Sequence, residues 1–246
     1  YKHHLTDKYA SPGETSLDGK IFLLGSDSLG RDILSRVMYG ARISLYVGFV
    51  SVGIGVTVGA LIGMISAYLG GKVDLVFQRI VDAFMSFPAL IFALGIMAVL
   101  GPSLNNVVWT LVIILIPGSS RLVRSQALTV KEMPYIDAAR AIGSTDSRII
   151  FRHVLPNCMA TYIVFATANL GLAIVIEASL TYLGVGTPID VPSWGGMLAV
   201  AGAKYIEVAP WLLLFPCLAI VIVVFGFNML GDALRDILDP RLRGTQ

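Results

Sequence analysis

Charge is what this 246-residue sequence most lacks: Asp, Glu, Lys and Arg make up 14% of it, where a soluble domain carries roughly 25%. Together with 56% hydrophobic residues and a mean hydropathy of +0.78, that deficit places most of the chain in lipid. The net charge of +2 is too mild to suggest a nucleic-acid surface, and Lys and Arg form no dense run. Cysteine is almost absent. Cys158 and Cys217 sit at or inside apolar stretches with no second Cys or His at ligand spacing, so they read as small hydrophobes. Of the histidines, His3 and His4 lie near the start and His153 lies far away, and no three ligands converge on a metal. Phosphate-loop chemistry is missing too: Gly19-Lys20 is followed by Ile21 and Gly71-Lys72 by Val73, where Ser or Thr is needed. No serine occupies a G-x-S-x-G elbow. These absences exclude an ATPase, a metalloenzyme and an elbow hydrolase, and they leave the chain with no cofactor of its own.

What the sequence does have is long uncharged runs. A span needs about 20 apolar residues, and each charge at the bilayer centre costs a few kcal/mol. The first span is expected over Ile43 to Tyr68, where Gly48, Gly53, Gly55, Gly59 and Gly63 recur; small residues at such spacing let helices approach closely. Ala83 to Ser120 is uncharged but too long for one helix, and Gly101-Pro102 with Asn105-Asn106 divides it. Spans over Ile80 to Leu100 and Val107 to Leu122 follow, with kinks at Pro88 and Pro117. Further spans are expected over Met159 to Leu183 and Val208 to Leu230, bringing the visible total to five.

Basic residues set the orientation, because short cytoplasmic loops are enriched in Lys and Arg. Arg121, Arg124, Lys131, Arg140, Arg148 and Arg152 between the third and fourth spans, and Arg235, Arg241 and Arg243 in the tail, place those segments inside. The stretch from Gly184 to Glu207 holds only Lys204 and falls outside. Strict alternation then puts residues 1–42 outside, although Lys2, Lys8, Lys20, Arg31, Arg36 and Arg42 fit the rule poorly. A further span before Tyr1 accounts for that and is expected.

The inside loop, KEMPYIDAARAIGSTDSRIIFRHVLPN from Lys131 to Asn157, predicts two short helices. Pro134 suits a first helical turn and Gly143 a stop. Ser144 or Thr145 caps a second helix, with Asp146 in its first turn, that ends at Pro156. Ile149, Ile150 and Val154 group on one face. A short loop is not expected to bury that face alone, so a partner surface is implied.

This loop resembles the signature of the permease subunits of binding-protein-dependent ABC importers: Glu-Ala-Ala, then Gly, then a hydrophobic-x-Leu-Pro ending. The matching residues are Asp137-Ala138-Ala139, Gly143 and His153-Val154-Leu155-Pro156. Asp137 stands where the family has Glu, and His153 narrows the likeness to the dipeptide, oligopeptide and nickel branch. Two more strings resemble that branch, LGSDSLGRDILSRVMYGARISL (Leu24 to Leu45) and FNMLGDALRDILDPRLRG (Phe227 to Gly244).

The resemblance implies an all-α polytopic helical bundle, six spans in the intact subunit, with a cytoplasmic coupling helix pair. Its expected parts are an external segment (1–42), a permease domain (43–231) containing the coupling loop 124–157 and external loop 184–207, and a cytoplasmic tail (232–246). Its expected setting is the inner membrane of a prokaryote. The expected partners are a second homologous permease, two ATPases that hold the ATP and Mg, an extracytoplasmic binding protein and membrane lipid. Asp137, Ala138, Ala139, Gly143, Ile149, Ile150, His153, Leu155 and Pro156 are then the ATPase-coupling residues.

Other residues stay open between two roles. Glu177, an acid within a span, either lines the substrate pathway or is an interfacial acid that snorkels or pairs with a polar group on the partner permease. Asn169, with Thr167, either lines a pore or bonds a neighbouring helix. Asp190 and Trp194 either meet the binding protein or, for Trp194 and Trp211, anchor the chain at the headgroups. Arg79 and Asp82 are spaced for a helix-end ion pair. A secondary transporter or channel, the competing class, calls for mid-membrane ionisable groups and inverted repeats. One peripheral Glu and no convincing repeat argue against it.

Overall fold

The computed structural model describes residues 7–16, 19, 21–188, 190–201, 205 and 207–238. A two-stranded antiparallel hairpin, β1 (Glu14–Thr15) and β2 (Ile21–Phe22), precedes the helices. Then follow α1 (Ile33–Leu69), α2 (Gly71–Met85), α3 (Ala89–Leu100), α4 (Leu104–Lys131), α5 (Pro134–Ala141), α6 (Asp146–Ile149), α7 (Leu155–Tyr182), α8 (Trp194–Ala201) and α9 (Trp211–Leu238). A π-helical turn, Ile150–Val154, joins α6 to α7. Among the described residues four helical runs are long and apolar enough to cross a membrane, or five if the bent pair α2 and α3 forms one span.

Each boundary has a local cause. Asp32 caps α1 by accepting from the Ser35 N–H at 2.8 Å, so ten residues expected in the external segment are already helical. Residues Ser86 to Pro88 break the expected second span by 89°, a separation rather than a kink. Pro88 offers no N–H, and Phe87 before it is pushed out of the helical region. At Gly101 (φ +79°) α3 ends, and the Asn106 amide donates to the Leu100 and Gly101 carbonyls at 2.8 and 3.0 Å. Helix α4 continues through Pro117 and absorbs residues 124–131, expected from the sequence in the coupling loop.

Glycine positions the bundle. A Cβ at Gly55, Gly59 or Gly63 would lie 2.8, 2.4 or 2.1 Å from the carbonyl oxygens of Val112, Ile116 and Ser120. Only hydrogen fits there, so α1 and α4 run parallel with their backbones in contact. Helix α7 runs antiparallel to α1, with Gly48 facing Ile174, and α9 antiparallel to α7, with Gly171 facing Val224 and Gly231 facing Thr167. The core between them holds Val47, Val56, Leu111, Ala173 and Leu180.

Ion pairs tie α2 to α4. Arg124 donates twice to Asp74, at 2.7 and 2.6 Å, and Arg121 pairs with Asp82. The expected pairing of Asp82 with Arg79 is therefore replaced by one across helices.

Candidate functional site: the α5 docking face

Pro134 opens α5 at a position whose N–H has no helical partner anyway. The helix stops where Gly143 takes φ +77°, with the Gly143 and Ser144 N–H groups donating back to Arg140 and Ala139 carbonyls at 2.9 and 3.1 Å. That is the turn the sequence predicted. Ile136 and Ala139 face inward and join Met64, Tyr68, Val123, Ala127 and Val130. Asp137 and Ala138 face outward, and Asp137 accepts from Arg140 at 3.4 Å, one turn away.

The second expected helix is corrected in three respects. Thr145 is its N-cap residue, but its hydroxyl caps no helical N–H and lies 3.4 Å from the Ser147 hydroxyl. The helix does not end at Pro156: α6, the π turn and α7 form one 37-residue run from Asp146 to Tyr182. The Leu155 N–H reaches the Ile150 carbonyl, five residues back, and Pro156 beside it has no N–H to donate. The wide turn accommodates that missing donor.

The third correction concerns the apolar face. Ile149, Ile150 and Val154 are buried, packed on α1 and α4 and not on a partner. The apolar side chains left exposed are Met133, Tyr135, Ile142 (82%) and Phe151 (60%). His153 is half-buried and its ring lies 6.1 Å from that of Tyr135. Leu155 lines an apolar cavity of about 250 Å³ with Met64, Cys158 and Tyr162, and Pro156 is exposed. The structure therefore leaves Asp137, Ala138 and Gly143 exposed and His153 half-buried, and buries Ala139, Ile149 and Ile150. Sequence reasoning missed Phe151 because it assigned the exposed face to the wrong side of the second helix, and missed Ile142, the residue that closes α5, because it weighed the first helix by its Asp-Ala-Ala string alone.

At the opposite end the open questions close differently. Glu177 is 0% exposed. Its carboxylate accepts from Ser44 on α1 at 3.0 Å and from Thr181 and Thr187 at 3.1 and 3.4 Å. All three of these donors belong to this chain. Trp194 is 2% exposed and its indole donates to the Val37 carbonyl at 3.0 Å, so it is a core residue and not a docking or anchoring one. Trp211 likewise donates inward, to the Ser26 carbonyl at 3.2 Å. Asp190 is exposed. Thr167 bonds the carbonyls of Ile163 and Val164 on its own helix. Asn169 donates to the Phe165 carbonyl at 2.8 Å and lines a cavity of about 280 Å³ with Phe84, Phe87, Phe92 and Phe165.

Residues 59–244 match the family described as the binding-protein-dependent transport system inner membrane component. The chain belongs to this family. The dipeptide transport system permease protein DppC of Alkalihalophilus pseudofirmus is 45% identical over 219 residues, covering 89% of this chain and 72% of that one. The glutathione transport system permease protein GsiD of Pectobacterium atrosepticum is 42% identical over 220 residues, covering 89% and 73%. Among solved structures, the inward-facing MetNI methionine ABC transporter superposes with a TM-score of 0.70 at 21% identity, over 84% of this chain and 98% of that one. An amino acid ABC transporter crystallised with histidines gives 0.56 at 17% identity, over 85% and 95%. The protein is a multi-pass permease subunit of a binding-protein-dependent ABC importer, a class that works with ATPase and binding-protein partners. Its bundle is that of the ABC importer transmembrane subunits.

Proposed function

We propose that this permease forms half of the pathway of a peptide importer and takes its drive from a cytoplasmic ATPase seated on the outer face of α5. The observation that carries the reading is that Tyr135, Ile142 and Phe151, apolar residues of the loop that carries the signature, are exposed together with Asp137 and Ala138. Apolar groups of that kind rimmed by charge are typical of docking surfaces. Ala138 lets a partner approach closely, and Asp137 meets a basic group on it. The ATPase end is cytoplasmic, so the C-terminal tail is too, in the inner membrane of a prokaryote. A second homologous permease completes the pathway, a binding protein delivers cargo on the opposite face, and two ATPases hold the ATP and Mg. ATP hydrolysis belongs to those subunits. Relatives named for dipeptide and glutathione transport support a short peptide as cargo.

The aromatic cavity with Asn169 is the part of the chain best suited to line that pathway, since one amide among phenyl rings accepts both peptide backbone and apolar side chains. Glu177, wholly enclosed by hydroxyls, is the fastener of the external loop.

The test is purification from native membrane in mild detergent, followed by reconstitution and uptake of labelled dipeptides. An ATPase co-purifies, and uptake stops on vanadate or ATP removal. Gly143→Pro, which cannot adopt φ +77°, and Asp137→Lys both lose the ATPase. Recovery without any ATPase, or uptake indifferent to vanadate, contradicts the reading.

A further inference from the structure

No motif singles out Tyr68, the penultimate residue of α1, yet it is where four elements meet. Its ring is 5% exposed. Its hydroxyl donates to the Asp146 carboxylate at 2.7 Å, the first residue of the 37-residue run that becomes α7. The Lys131 ammonium, at the end of α4, lies 5.8 Å from the ring centroid, and the Arg140 guanidinium, on α5, lies 5.6 Å from it. Lys131 also donates to the Ala67 carbonyl at 3.2 Å, closing α4 onto α1. Arg140 reaches on to Asp137 at 3.4 Å, so the outer face of α5 and the end of α1 are joined through a single guanidinium.

From this we infer that Tyr68 is the positioning residue through which displacement of the docking helix reaches the membrane bundle; the inference rests on the docking role proposed above. Few other polar contacts tie α5 to the bundle. Its inner face is Ile136 and Ala139 packed on apolar neighbours, and apolar contacts hold but do not direct, because they are insensitive to orientation. The Tyr68 contacts are directional. The hydroxyl fixes the start of the α6–α7 run, and the ring face fixes two cations from two further elements. A push on α5 thus moves α1, α4 and α7 together. Coupling between distant sites needs such a contiguous network with defined arrangements, and α1 carries it straight to Ser44 and Glu177 at the far end.

The experiment uses the full permease–ATPase complex in membranes, with Cys158 and Cys217 replaced by Ala and a reporter, Leu183→Cys, at the exposed far end of α7. The readout is the ratio of labelling rates by a membrane-impermeant maleimide with and without ATP plus vanadate, alongside the amount of ATPase bound. Tyr68→Phe keeps the ring and loses one hydrogen bond; it lowers the ATP-dependent change about fivefold. Tyr68→Leu removes the cation contacts as well and lowers it about tenfold or more. Both retain the ATPase, whereas Ala138→Arg on the outer face sheds it. An unaltered ATP response in both Tyr68 variants overturns the inference and leaves the docking role standing. Loss of bound ATPase from the Tyr68 variants also overturns it, since their effect is then on assembly. A parent complex with no ATP response, or an Ala138→Arg variant that keeps its ATPase and response, removes the docking role and the inference with it.

Discussion

At the two ends of α7 the same chain treats its large side chains in opposite ways. Beside the α5 end, Tyr135, Ile142 and Phe151 stand exposed while the buried Tyr68 holds Asp146 by its hydroxyl and two cations by its ring. Beside the other end, Trp194 and Trp211 turn inward and donate to backbone carbonyls, and the acid Glu177 is enclosed by three hydroxyls. The first arrangement leaves apolar area for a partner. The second completes a core. A tryptophan in an extramembrane loop is therefore no docking signal by itself: Trp194 is buried in this chain's own core, whereas Ile142 and Phe151 are left uncovered.

Breaking the closed end should cost the most stability and leave docking intact. Trp194→Ala empties a place in the buried cluster it shares with Ile33, Ile174 and Met197 and destabilises by about 3–5 kcal/mol, read as a lower thermal midpoint in detergent with ATPase bound per folded protein unchanged. Glu177→Leu strands the Ser44 and Thr187 hydroxyls in a buried site and costs about 2 kcal/mol, whereas Glu177→Gln keeps an acceptor and costs less. Between the two ends, Asp74→Asn removes the doubly bonded partner of Arg124. Those side chains are only partly buried, so the loss is about 1 kcal/mol after solvent screening. Smallest in stability is Ile142→Ser at the open end, within about 0.5 kcal/mol as for most surface changes, yet it is the change that sheds the ATPase. The comparison fails if Trp194→Ala releases the ATPase from folded protein or if Ile142→Ser unfolds the chain.

Local chemistry made part of this legible. Pro134 and Gly143 announce the start and stop of α5 because the first fits a helical N-terminus and the second a positive φ, both decided within a few residues. Gly55, Gly59 and Gly63 announced close helix packing for a similar reason. What the sequence hid depends on remote partners. Ile149, Ile150 and Val154 have the periodicity of an unpartnered face, and only the arrival of α1 and α4 buries them. The donor to Glu177 on α1 stands 133 positions away, which no spacing rule reaches. Pro88 signalled a disturbance but not its size; the 89° bend follows from α2 being held along α4 by Asp74 and Asp82. The continuity of α6 into α7 was concealed because Pro156 normally argues for an end, and a wide turn took up its missing N–H.

The account stands on the outer face of α5 being the ATPase seat, and a photo-crosslinking residue placed there reads this directly in native membranes. At Ile142 it should give a strong adduct with a cytoplasmic ATPase. At Ile136, on the buried face of the same helix, it should give none. An ATPase adduct missing at Ile142, or equally strong from Ile136, contradicts the account.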